Sequence, residues 1–238
     1  LAAPTVTLSS SASSVAENGS DLTLTATLNR QTFEDVTVTL TGTGTSTAGT
    51  DYASLSTITI SAGSTTGTTT FNPTDDSVYE GSETAIIAIT GVSGGSATES
   101  GTQSETITIT DNETAPTVTL STSASSVAEN GSDITLTATL SGATSEDVTV
   151  TLTGTGTSTA GTDYASLSTI TISAGSTTGT TTFNPTDDSV YEGSETAIIA
   201  ITGVSGGSAT ESGTQSETIT ITDNETAPTV TLSTSASS

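Results

Sequence analysis

Leu22-Thr23-Leu24-Thr25-Ala26-Thr27-Leu28 alternates apolar and hydroxyl-bearing side chains without a break. Period two over such residues is the pattern of a strand that buries one face and wets the other. The same alternation places Val36, Val38 and Leu40 around Thr37 and Thr39, and Ile107 and Ile109 between Thr106, Thr108 and Thr110. A chain this rich in Ser, Thr and Gly could be a disordered stalk, but a stalk needs no apolar period. Working outward, strands are expected at about 5–9, 21–28, 35–41, 57–61, 66–71, 84–90 and 105–110, with Gly, Asn, Ser and Asp between them. Seven short strands in roughly 110 residues predict an all-β, two-sheet antiparallel sandwich. Phe71 and the run Ile86 to Ile89 are expected in its core.

The pattern is written twice and begun a third time, with Pro4, Pro116 and Pro228 opening successive copies. Residues 4–115 and 116–227 differ at six positions (Ser10/Thr122, Leu22/Ile134, Asn29/Ser141, Arg30/Gly142, Gln31/Ala143 and Phe33/Ser145), and 228–238 repeats 116–126. The expected domains are 1–113, 114–225 and, at 226–238, the first strand of a third repeat. Such an array makes one repeat the structural unit and the string the functional one. The net charge is −25, from 26 acids against Arg30 alone, with no Lys and no His. A surface of that sign repels nucleic acid and anionic membranes, and no apolar run approaches the roughly 18 residues of a span. Zero Cys removes disulfides and thiolate metal sites. Without His, Cys, Lys or Trp, no enzyme is expected, and the paired acids are better explained as cation ligands than as an acid–base pair.

If successive strands run in opposite directions, connections one, three and five and the end of strand seven emerge together. These carry Glu17, then Asp51, then Asp75, Asp76, Glu80 and Glu83, then Asp111; the second copy carries Glu129, Asp163, Asp187, Asp188, Glu192, Glu195 and Asp223. Two carboxylates about 5 Å apart repel by roughly 3 kcal/mol at an effective dielectric near 20, so such a tip calls for a cation. Oxygen-only ligands on loops suit Ca²⁺ over Mg²⁺ or Zn²⁺.

The succession Ser14-Val15-Ala16-Glu17-Asn18-Gly19, Gly49-Thr50-Asp51-Tyr52, Asp75-Asp76-Ser77-Val78-Tyr79-Glu80-Gly81-Ser82-Glu83 and Ile107-Thr108-Ile109-Thr110-Asp111-Asn112 resembles the Calx-beta domain. That family is found in sodium/calcium exchangers, integrin beta-4 and long bacterial surface proteins. The resemblance covers the whole repeat in order and implies an immunoglobulin-like sandwich with Ca²⁺ at the tip. It implies as ligands the acids just named, with the backbone carbonyls of Val78 and Val190. Fuller sites in the family end the last strand in a run of acids; here the run is Asp111-Asn112-Glu113, so two or three ions per repeat are expected. Tyr52 and Tyr79 are expected to anchor the loops by packing.

The function expected is that of a calcium-rigidified segment of an extracellular surface adhesin, stalk or filament. Its partners would be adjacent copies of the repeat or other protomers of a filament, with no nucleic acid and no membrane insertion. Asn112-Glu113-Thr114-Ala115 ahead of Pro116 is a connector short enough to predict a semi-rigid joint. The alternatives are a calcium-dependent ligand- or ice-binding module, suggested by outward Thr ladders such as 106–110, and a calcium-sensing regulatory module.

Overall fold

The computed structural model describes residues 2–234, and among these every regular element is a strand. The chain divides into two compact units, Leu1–Thr114 and Ala115–Ser238. The first holds β1 (Thr5–Ser10), β2 (Ser14–Ala16), β3 (Leu22–Leu28), β4 (Val36–Gly44), β5 (Ile58–Ile60), β6 (Thr66–Phe71), β7 (Val78–Tyr79), β8 (Glu83–Ser93), β9 (Thr98–Glu99) and β10 (Ser104–Thr110). The second holds β11 (Thr117–Thr122), β12 (Ser126–Ala128), β13 (Ile134–Leu140), β14 (Ala143–Thr144), β15 (Val148–Gly156), β16 (Ile170–Ile172), β17 (Thr178–Phe183), β18 (Glu195–Ser205), β19 (Thr210–Glu211) and β20 (Ser216–Thr222).

Each unit is an immunoglobulin-like sandwich of two sheets, ordered β6-β3-β1-β9 and β2-β10-β8-β4-β5 in the first and β17-β13-β11-β19 and β12-β20-β18-β15-β16 in the second. Residues 22–28 form β3, whose Leu22, Leu24, Ala26 and Leu28 are buried while its threonines face outward. It pairs antiparallel with β1 (Val6↔Leu28) and with β6 (Leu22↔Phe71), so one strand's period sets the inward face of three. From the facing sheet come Val36, Val38, Ile58, Ile60, Ala85, Ile87, Ile107 and Ile109, closing one apolar core. The second core repeats it residue for residue, with Ile134 in place of Leu22.

The run 86–89 does not all go inside: Ile87 and Ile89 are buried, but Ile86 is 36 % exposed, because β8 is wet on one face and obeys period two. The short β2 and β9 pair parallel along sheet edges, Val15↔Ile109 and Thr5↔Thr98. Leaving β1, the chain therefore crosses from one sheet to the other at β2. Residues 226–234 form no strand, and Val230 and Leu232 are exposed; the rest of that stretch, 235–238, lies outside the described residues.

Candidate metal centre

The crossing at β2 brings the first acid into place. Ala16 pairs with Thr110, and Glu17 N–H donates to the Thr110 carbonyl at 3.0 Å, so Glu17 arrives beside Asp111 at the end of β10. Asp51 is held differently. Its carboxylate accepts from Thr47 N–H at 2.5 Å, and its carbonyl accepts from Thr74 N–H at 2.9 Å, tying loop 45–53 to the loop after β6. Tyr52, fully buried and stacked on Phe71 at 4.8 Å between ring centres, pins the same loop to the core. Gly42 makes this possible, since a Cβ there would lie 2.0 Å from the Tyr52 hydroxyl.

Asp111 organises the loop that carries the remaining acids. Its Oδ2 accepts from Glu80 N–H (2.7 Å) and Gly81 N–H (2.6 Å), and its Oδ1 accepts from Glu113 N–H (2.7 Å). Gly81 adopts φ 75°, a left-handed conformation that an L side chain rarely takes. Asp76 closes its own small turn by accepting from Val78 N–H at 2.7 Å. The second repeat reproduces these contacts: Asp163 with Thr159, Asp223 with Glu192, Gly193 and Glu225, and Asp188 with Val190.

The acids gather into two groups per repeat. Glu17, Asp111 and Glu113 form one and Asp51, Glu80 and Glu83 the other, each able to bring one oxygen per residue within 4.8 Å of the others. The second repeat groups Glu129, Asp187 and Glu225, and Asp163, Glu192 and Glu195. Of the residues expected from sequence, Asp75 lies exposed outside the first repeat's groups, whereas its counterpart Asp187 joins one. Asp76 belongs to neither group but raises both Glu17, of the first, and Glu80, of the second, by its charge. Val78 and Val190 engage Asp76 and Asp188 through their amides.

Glu113 and Glu225 were not among the residues expected. The signal was present: Glu113 follows Asp111 by two residues, and the Asp111 turn that captures its amide draws its side chain into the group.

The electrostatics show what the arrangement lacks. Burial and the adjacent Glu113 push the Glu17 carboxyl up to about 8. In the second repeat the shift falls on Glu225, raised to about 7 by its side-chain contact with Glu129 and by burial. In each repeat, then, one of two facing glutamates keeps its proton well above the ordinary carboxylate range. Glu83 and Glu195 rise to about 7 through burial and their contact with Asp51 and Asp163, and Glu80 and Glu192 are raised in the same direction. Burial acts upward on Asp111 and Asp223 too, but the backbone N–H groups around them outweigh it and hold them below the usual carboxylate range.

Glu17 Oε1 and Glu113 Oε2 are buried without a hydrogen-bond partner, as are Glu129 Oε1 and Glu225 Oε2. Carboxylate oxygens withdrawn from water and aimed at other carboxylates need a proton or a cation. A hard, oxygen-seeking cation such as Ca²⁺ fits these residues; with no His or Cys in the chain, a softer metal finds no preferred ligand.

Fold and tip together define an acid-tipped β-sandwich repeat in tandem. The LapA domain family matches residues 3–114 and again 113–226, and the chain belongs to that adhesin-related family. No match was found among curated protein sequences. Similar solved structures include CBD12 from CALX1.2, with 14 % identity and a TM-score of 0.40 over 90 % of this chain and 99 % of that one. Another is the apo form of the Calx CBD1 domain, with 21 % identity and a TM-score of 0.38 over 45 % of this chain and 98 % of that one. No helix among the described residues is long and apolar enough to cross a membrane.

Proposed function

We propose that the chain is a structural segment of an extracellular surface adhesin, stalk or filament, stiffened by Ca²⁺ at one tip of each repeat. The observation that carries this reading is the pair of orphaned, buried carboxylate oxygens on Glu17 and Glu113, reproduced on Glu129 and Glu225. Two ions per repeat match the two groups. One would be held by Glu17, Asp111 and Glu113, the other by Asp51, Glu80 and Glu83, with Asp76 and the Val78 carbonyl beside them; the second repeat would use the equivalent residues. Near-identity of the copies supports a mechanical role, because a string of the same unit multiplies length rather than chemistry. Adjacent copies are the expected partners, and membership in an adhesin-related family supports a cell-surface setting.

The test is metal analysis of the purified chain together with calcium titration calorimetry. About four Ca²⁺ per chain, two for each repeat, is the expected stoichiometry. A chain that binds no calcium at millimolar concentration overturns the reading.

A further inference from the structure

Among the described residues the buried polar or charged side chains are Glu17, Thr32 and Ser46, with Glu129, Thr144 and Ser158 at the equivalent positions of the second repeat. Glu17 belongs to the metal groups, and the Thr32 hydroxyl closes its own turn by donating to the Glu34 carbonyl at 2.8 Å. Ser46 has neither role. It lies between the end of β4 and Asp51, in a polar stretch whose other members from Thr43 to Thr50 are exposed.

The Ser46 hydroxyl donates to the Thr84 carbonyl at 2.9 Å. That oxygen already accepts from the Thr45 and Ser46 amides, at 3.0 and 3.1 Å, and the Thr84 amide donates in return to the Thr45 hydroxyl at 2.8 Å. A carbonyl has two lone pairs, so the hydroxyl is a third donor to a group that two amides satisfy. Gly44 admits the arrangement: its φ is 123°, and a Cβ there would lie 2.1 Å from the Thr84 oxygen. The second repeat is built the same way, with the Ser158 hydroxyl 2.9 Å from the Thr196 carbonyl, the Thr157 and Ser158 amides at 2.9 and 3.1 Å, and Gly156 at φ 119°.

Both ends of this clamp carry ligands of the second group. Thr84 directly follows Glu83. Ser46 directly precedes Thr47, whose amide donates to the Asp51 carboxylate at 2.5 Å and whose carbonyl accepts from the Asp51 amide at 3.0 Å. The Asp51 and Glu83 carboxylates are in contact. Three donors on one carbonyl therefore fix the separation of the two segments from which Asp51 and Glu83 would reach one ion. Ca²⁺ takes oxygens at about 2.3–2.6 Å, whereas Mg²⁺ demands about 2.0–2.1 Å in a near-ideal octahedron, so ligands that cannot draw together favour the larger ion.

We propose, on the two-ion reading above, that Ser46 and Ser158 are positioning residues that select Ca²⁺ over Mg²⁺ at Asp51, Glu80 and Glu83 and at Asp163, Glu192 and Glu195. Removing the hydroxyl orphans no polar group, because the Thr84 oxygen keeps both amides. What is lost is the stiffness of the joint between the ligands.

The experiment is calorimetric calcium titration of the full chain, with and without millimolar magnesium, alongside melts in excess chelator, for the unaltered chain and for Ser46→Ala with Ser158→Ala. In chelator the variant should melt within about 4 °C of the unaltered chain, the shift of one ordinary hydrogen bond in a unit of this size. Half of its bound calcium should be held about tenfold or more weakly, as loss of a supporting contact behind a metal ligand does, and the other half with unchanged affinity. Magnesium should compete for the weakened half more strongly than it competes in the unaltered chain. An unaltered chain that takes up no calcium removes the two-ion reading, and this proposal with it. Where the unaltered chain does bind calcium, selection by Ser46 and Ser158 is overturned by unchanged affinities, by equal weakening of every ion, by unchanged magnesium competition, or by a larger fall of the melting temperature in chelator.

Discussion

Glu17, buried beside Glu113, governs much of the pH behaviour of the metal-free protein. In the unfolded chain the Glu17 carboxyl titrates near 4.5, and in the folded chain near 8. The folded state therefore holds protons that the unfolded state has lost across that interval, and stability must fall as pH rises through it. Glu83, at about 7, adds to the same slope. In excess chelator the melting temperature should decline steadily from pH 5 to pH 8.5, and calcium should flatten the decline because it replaces the shared protons; a flat profile without calcium contradicts the assignment. Glu113→Gln with Glu225→Gln should reduce the slope without abolishing it, since burial and the remaining acids still raise Glu17, and should weaken calcium binding about tenfold or more, as loss of one charged ligand does. Calorimetry of that variant reads both effects. The alternation of connections was enough to gather Glu17, Asp51, Glu80, Glu83 and Asp111 from sequence. Glu113 was harder to read, because its role depends on a turn closed by the Asp111 carboxylate, a contact with no periodic trace.

Strands with a full face to bury were legible from sequence, and strands without one were not. β3, β4, β6 and β10 each repeat an apolar residue at every second position or end on a large one. β2 and β9 have three and two residues, too few for a period, and they exist because a sheet edge offers them partners. β2 nevertheless positions the site, since its parallel register with β10 delivers Glu17. The loop that carries Asp51 depends on a different fit. A Cβ on Gly42 would stand 2.0 Å from the Tyr52 hydroxyl oxygen but 3.1 Å from the ring carbon behind it and 3.5 Å from Ile87. The clash is thus with the hydroxyl, which is buried and has no hydrogen-bond partner. Gly42→Ala should cost about 1–3 kcal/mol by overpacking. Tyr52→Phe should be neutral or slightly stabilising, since it deletes an unsatisfied buried group. Combined, the two should restore most of the loss, a coupling that urea denaturation of the four corners of the cycle measures. Additive costs would show that the ring, not its hydroxyl, is what Gly42 accommodates.

At the scale of the whole chain, charge is separated from packing. The cores of the two units match except for Leu22 against Ile134, a swap of equal volume that costs little. The acids of each repeat collect largely in loops, while the outward faces of β3, β6 and β10 carry mostly threonine and serine. Repulsion is therefore concentrated at the tips, and a cation bound there acts on stability without altering either core. A site whose dissociation constant is one hundredth of the free calcium adds about 2.7 kcal/mol, so two sites add about 5 kcal/mol to each repeat. With an unfolding entropy near 2.1 cal/mol/K per residue, a unit of this size shifts by about 4 °C per kcal/mol, which makes the expected drop on chelation about 20 °C. Because the cores and the sites are duplicated, both units should melt in one transition with calcium and in one without it, each within a few degrees of its twin. Differential scanning calorimetry of the full chain decides this. Two well-separated transitions in chelator would mean that one repeat draws stability from something other than its core and its cation. A melting temperature indifferent to chelation would mean that protons shared between Glu17 and Glu113, and between Glu129 and Glu225, suffice to hold the tips closed.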